Sequence, residues 1–143
     1  MPYQYLEEIG TADIAFEATG RDLAELFSEA ADATTNVMID NIEAIQPRET
    51  RQIELSNDKL DMLLFDLLQE LIFLKDSERL LLRMRVVQID QKDEMYFIRA
   101  TAEGEPLDAE RHHQRADVKA VTLHNFSVEQ TEGGWKARVL LDI

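Results

Sequence analysis

Cysteine is absent from the 143-residue chain, which removes disulfides and thiolate-held zinc or iron–sulfur clusters from consideration. Glycine and proline are scarce, five and three residues, and scattered. No glycine-rich phosphate loop of the GxxxxGKS/T or GxGxxG kind exists, nor a GxSxG nucleophile elbow. Ser28, Ser56, Ser77 and Ser127 fall at expected helix, cap, turn and strand positions without a motif that marks a nucleophile. No apolar run is long enough for a bilayer span, since the longest, residues 63–74, is broken by Asp66, Gln69 and Glu70. The opening MPYQYLEEIG has neither a basic region nor an apolar one, so no export signal is expected and a cytoplasmic location is the simple reading. Positive charge is also in short supply: 15 Lys and Arg face 29 Asp and Glu, a formal charge of −14. Nucleic-acid binding rests on neutralising phosphates with Lys and Arg, so direct binding of RNA or DNA is not expected. An acidic surface suits cations or a basic protein partner, or simply keeps the protein soluble.

What is present is an ordinary globular composition, 45% hydrophobic and 31% charged, at the size of one domain spanning 1–143. Short strands are expected over 3–9 and 14–19, around the break Gly10-Thr11-Ala12-Asp13. Asp22, with Glu25 three residues on, has the form of a capping box. Leu23, Leu26, Phe27, Ala30 and Ala31 follow at helical spacing, and this first helix reaches at least Asn36. A strand over 50–55 precedes a second helix, capped by Asn57 or Asp58. Its stripe of Leu60, Leu63, Leu64, Leu67, Leu68, Leu71 and Ile72 faces the core. Further strands are expected over 80–89, 95–102 and 118–128, with a polar connection over 104–117. A turn over 131–134 leads to a last strand at 135–143. The pattern predicts an α+β domain, two helices packed on a mostly antiparallel sheet.

In the last strand, period-2 alternation puts Trp135, Ala137, Val139, Leu141 and Ile143 on one face and Lys136, Arg138, Leu140 and Asp142 on the other. With the Trp face buried, Asp142 is left beside the terminal carboxylate of Ile143. Asp13 stands where an early strand begins. If the two segments meet, Asp13, Asp142 and Ile143 supply three hard anionic oxygen groups of the kind calcium or magnesium takes. Spacing alone does not show that they meet, and acids are so abundant that each has a solvated-surface reading too. Lys119 shares its expected strand face with Val121 and Leu123, and either snorkels from a half-buried surface or approaches a phosphate as a point charge. His112 and His113, being adjacent, point apart and read as surface loop residues. His124 reads as a hydrogen-bonded, partly buried strand residue rather than a ligand or base.

Several stretches, in order, resemble the archease family almost end to end. Thr11-Ala12-Asp13-Ile14-Ala15-Phe16 resembles its HTADI-type motif. Residues 23–31 (LAELFSEAA) resemble its first helix and 63–76 (LLFDLLQELIFLKD) its leucine-rich second helix. Gly104-Glu105 with His112 resembles its GE…H stretch, residues 118–124 (VKAVTLH) its VKAVTYH strand, and Leu141-Asp142-Ile143 its terminal LDI. The resemblance implies a non-catalytic accessory role toward a GTP-dependent RNA-splicing ligase, promoting guanylylation and multiple turnover in tRNA splicing and RNA repair. It also implies a divalent metal ion, calcium first with magnesium or manganese as alternatives, on Asp13, Asp142 and Ile143, and a functional role for Lys119 near partner or nucleotide. Three positions depart from the pattern: Gly10 replaces the usual histidine before Thr-Ala-Asp, Leu123 a frequent tyrosine, and Leu67 a common tryptophan. Two other readings stay open. One is a metal-dependent hydrolase acting through Asp13 and Asp142, which lacks a general base beside the pair. The other is a metal-independent protein-interaction module.

Overall fold

The computed structural model describes residues 2–6 and 13–143. In these, β1 (Tyr3–Tyr5), β2 (Asp13–Gly20), β7 (Gly134–Asp142) and β6 (Ala120–Thr131) form one four-stranded sheet in the order β1-β2-β7-β6. A second, three-stranded sheet runs β3 (Glu49–Asn57), β5 (Met95–Pro106), β4 (Leu80–Lys92). All pairings are antiparallel. Helices α1 (Leu23–Met38) and α2 (Leu60–Glu78) each touch both sheets, so one core joins the two. The α+β architecture is the one the periodicity predicts, with the strands divided between two sheets.

Helix α1 begins as the sequence dictates. Asp22 is the N-cap and its side chain accepts the Glu25 N–H at 2.8 Å. The Glu25 carboxylate reaches back to the Arg21 N–H (3.0 Å), one residue earlier than in a regular capping box. Leu26, Phe27, Ala30, Ala31 and Ala33 are fully buried, the alanines letting the helix backbone lie close to its neighbours. At its other end, Arg115 and Ala116 donate backbone N–H groups to the carbonyls of Met38 (2.9 Å) and Val37 (3.1 Å). Helix-end acceptors that would otherwise be unpaired are thereby satisfied.

Helix α2 differs from expectation at its start. Lys59, not Asn57 or Asp58, is the N-cap, and it makes no side-chain cap bond. The Asn57 side chain is engaged elsewhere: its oxygen accepts the Lys59 N–H (3.0 Å) and its amide donates to Asp66 (3.0 Å). The leucine stripe is buried from Leu63 to Ile72, Leu67 included, while Leu60 at the helix start is only partly buried. The helix also covers the free edge of β6. The side-chain oxygen of Gln69 accepts the Val121 N–H at 2.8 Å, and Phe65 meets Phe126 edge-on at 5.6 Å.

The β4–β5 hairpin turns on Asp93 and Glu94, both with positive φ (53° and 65°), the type I′ geometry that matches strand twist and favours Asn-Gly. An L-residue in that region is strained, so Glu94→Gly should stabilise the fold by about 0.5–1 kcal/mol. Urea denaturation checks this, and unchanged or reduced stability would contradict it.

Strand β5 runs four residues past the expected end at Ala102, to Pro106, taking in Gly104, where a Cβ would collide with the Leu81 carbonyl. Glycine is therefore what lets β5 lie against β4 at this point and carry Glu105 into the interior. The expected connection over 104–117 is correspondingly shorter.

Candidate metal centre

In the antiparallel ladder of β2 and β7, Asp13 stands directly opposite Asp142. Directly opposed residues have Cβ atoms about 5 Å apart on the same sheet face, so the two carboxylates are neighbours. The alternation that puts Phe16, Ala18, Val139 and Leu141 in the core turns this pair to the other face. Both aspartates are partly exposed. Asp13 is the first residue of β2 and Asp142 the last of β7, so the pair marks one end of the sheet. Ile143 follows at once, its side chain against the core.

Lys119 belongs to the same end. Its backbone N–H donates to the Asp142 carbonyl at 2.8 Å, and Ala120, the next residue, is the register partner of Asp142. The shared strand face expected for Lys119, Val121 and Leu123 is not formed. Strand β6 starts after Lys119, which is exposed; Val121 is buried, and Leu123 is 62% exposed. The cause is a wide irregularity in β6, where the pairing jumps from Thr122 opposite Leu140 to Ser127 opposite Arg138, with Asn125 at φ 55°. His124 lies on this bulge, exposed rather than partly buried, and a small pocket separates the bulge from Ala15 and Leu140. Both of those residues are buried although they share the outward face with the aspartates.

The donor set at Asp13, Asp142 and the Ile143 carboxylate is all oxygen, which fits a hard cation and leaves positions for water or a partner group. Among the described residues, no group of three or more His, Asp or Glu side chains is placed to hold a metal ion, so these residues bring two side chains to the site. Gly10, Thr11 and Ala12, the rest of the N-terminal motif, lie outside the described residues.

A second polar centre was not legible beforehand. Glu105 is buried to 2% exposure of its side chain, and its carboxylate is bound by Arg111, by Arg48 (3.4 Å), by the Gln46 N–H (2.9 Å) and by His112 Nε2 (2.9 Å). His112 is fully buried, which overturns its reading as a surface residue. The Asp108 N–H donates to Nδ1 (2.8 Å), so the ring proton sits on Nε2 and is donated to Glu105. Burial alone would raise the carboxyl pKa, but the bonds from Arg111, Gln46 and His112 outweigh it and hold it at about 2. His113 is exposed as expected and pairs with Asp40 at 2.8 Å. The only sequence signal for this centre was the Gly104-Glu105 and His112 stretch, since the two arginines reach it from separate segments. It ties the 104–117 segment to the fold, and Glu105, Arg48 and Arg111 line an open pocket at its edge.

Comparison with known proteins finds relatives along almost the whole chain. Residues 3–143 match the Archease protein family (MTH1598/TM1083). The protein archease of Methanosarcina mazei is 39% identical over 142 residues, covering 99% of this chain and 95% of that protein. The protein archease of Methanothermobacter thermautotrophicus is 41% identical over 133 residues, covering 93% of this chain and 94% of that protein. Among solved structures, the solution structure of Methanobacterium thermoautotrophicum protein 1598 superposes with a TM-score of 0.85 at 38% identity, covering 99% of each chain. A crystal structure from Thermotoga maritima, described as an archease and possible chaperone, shares the fold at a TM-score of 0.55 and 19% identity, over 96% of this chain and 97% of that one. The chain belongs to the archease family.

Proposed function

We propose that the protein is a non-catalytic activator of a GTP-dependent RNA-splicing ligase, promoting its guanylylation and multiple turnover in tRNA splicing and RNA repair. The observation that carries the reading is the juxtaposition of Asp13 and Asp142 across the β2–β7 ladder, with Lys119 held to Asp142 by its backbone. Asp13, Asp142 and the carboxylate of Ile143 hold a divalent cation, calcium or else magnesium or manganese. When bound, such an ion supplies positive charge toward phosphoryl oxygens. The chain's own part is to present the two aspartates side by side at an exposed sheet end and to offer the Lys119 ammonium toward a phosphate. A −14 surface favours docking on a basic protein over gripping RNA, and the possible-chaperone description of the Thermotoga protein points the same way, toward a protein partner. Among the described residues no helix is long and apolar enough to cross a membrane, and a cytoplasmic place beside the ligase is part of the proposal.

The test is multiple-turnover RNA ligation by the ligase of the same organism. Wild-type protein should raise turnover, and folded Asp13→Ala and Asp142→Ala proteins should return it to that of ligase alone. Lys119→Ala should lower activation without weakening cation binding. Full activation by both aspartate variants would rule the metal mechanism out.

A further inference from the structure

A cavity of about 410 Å³ opens between the C-terminal ends of α1 and α2, the start of β4 and the segment after β5. That volume lies within the range of small-molecule sites. Its apolar lining comes from the half-buried Leu107 and from Met38, Ile39 and Leu81, which are only 5%, 1% and 1% exposed, and its rim carries Arg79 and Arg115. Lys75 and Asp117 also line it but are bound to each other at 2.6 Å, with Asp76, also in the lining, on the same ammonium at 3.0 Å, so one carboxylate charge is left over and the lysine is paired.

The two arginines are not. Among the described residues neither makes an ion pair with a carboxylate, in a chain where acids outnumber bases nearly two to one. Arg115 is part of the lining, and its guanidinium donates to the Asn36 carbonyl (3.0 Å) and lies over the Tyr5 ring at 5.7 Å. Arg79 closes α2 in the left-handed region, φ 54° and ψ 33°, its N–H donating to the Leu74 carbonyl. Glycine is the favoured residue at such a helix end, because a side chain is strained there. An arginine here is favoured by the C-terminal end of the α2 dipole but strained in its backbone, and among the described residues it has no carboxylate to hold on the rim of the cavity.

We propose that this cavity binds a small organic anion, a carboxylate or a phosphate ester on an apolar body, with Arg79 and Arg115 holding the anionic group and Met38, Ile39, Leu81 and Leu107 receiving the apolar part. Charge-assisted bonds to guanidinium fix the anion, and the apolar lining rejects ions that carry no hydrophobic group. The site is separate from the carboxylate pair and does not depend on a metal.

The experiment is a titration followed by backbone amide NMR, with phenyl phosphate and phenylacetate as probes and inorganic phosphate and benzyl alcohol as controls. Saturable shifts at the amides of Ile39, Leu81, Leu107 and Ala116 are expected with at least one probe, and the tighter of the two assigns the anion. Each control should bind roughly tenfold more weakly or worse, since it lacks one half of the recognition. Arg79→Gly should leave the melting temperature at or above wild type while weakening the probe roughly tenfold; Arg79→Gln gives the same reading without altering the glycine content of the helix end. No saturable shift up to roughly 10 mM probe, equal affinity for benzyl alcohol, or undiminished affinity in both Arg79 variants would overturn the proposal.

Discussion

Replacing Glu105 with alanine should cost about 3–5 kcal/mol of stability, the largest single loss expected outside the leucine stripe of α2. The carboxylate accepts hydrogen bonds from Gln46, Arg111 and His112 and forms an ion pair with Arg48, partners drawn from two segments of the chain. Arg48 and Arg111 are partly exposed and recover hydration when it is removed, but His112 is not, and its Nε2–H loses its acceptor in a dry site. Glu105→Gln keeps the shape and one acceptor oxygen and should cost less. The pH dependence follows from the direction of the shift. A carboxyl held at about 2 in the fold, against about 4.3 unfolded, contributes stability that is fully present above pH 5 and is lost as pH falls through 4 toward 2. The stability gap between wild type and Glu105→Gln, measured by urea denaturation, should therefore narrow below pH 4. A gap constant from pH 7 to 3 would show that packing, not the ionised carboxylate, accounts for the loss.

The second large effect concerns the aspartate pair and has opposite signs with and without metal. Two like charges directly across an antiparallel ladder destabilise by about 0.2–1 kcal/mol, so Asp142→Asn should be slightly more stable than wild type in chelator. In calcium at a hundred times its dissociation constant, wild type should gain about 2.7 kcal/mol by linkage, and the variant should gain almost nothing. The order of stabilities then reverses between the two conditions. A variant less stable than wild type in both would indicate that Asp142 acts in the fold alone.

How much of this was readable from the sequence depends on the range of the interaction. The α1 start and the α2 stripe are set within one or two turns by Asp22, Glu25 and the leucine spacing, and both formed as read. The outward turn of Asp142 follows from period-2 alternation alone. That β2 and β7 are partners, so that Asp13 meets Asp142, is a pairing between chain segments far apart, which spacing cannot encode. Only the family resemblance anticipated it. The misreadings have the same origin. Only the Gly104-Glu105 and His112 stretch marks the centre in which Glu105 is buried, because part of the compensating charge comes from Arg48 in a distant segment. The Asp93-Glu94 turn lacks the glycine that signals its type, and the β6 bulge that exposes Leu123 and His124 looks in sequence like uninterrupted strand.

The shared carboxylate site is tested most directly by amide NMR of the protein titrated with manganese, whose unpaired electrons broaden signals near the bound ion. Ile14, Ala120 and Leu141, which flank the opposed aspartates in the ladder, should broaden first at substoichiometric metal. They should stay sharp in Asp142→Asn. Equal broadening in wild type and variant, or broadening centred elsewhere on the acidic surface, would contradict the site and the mechanism built on it.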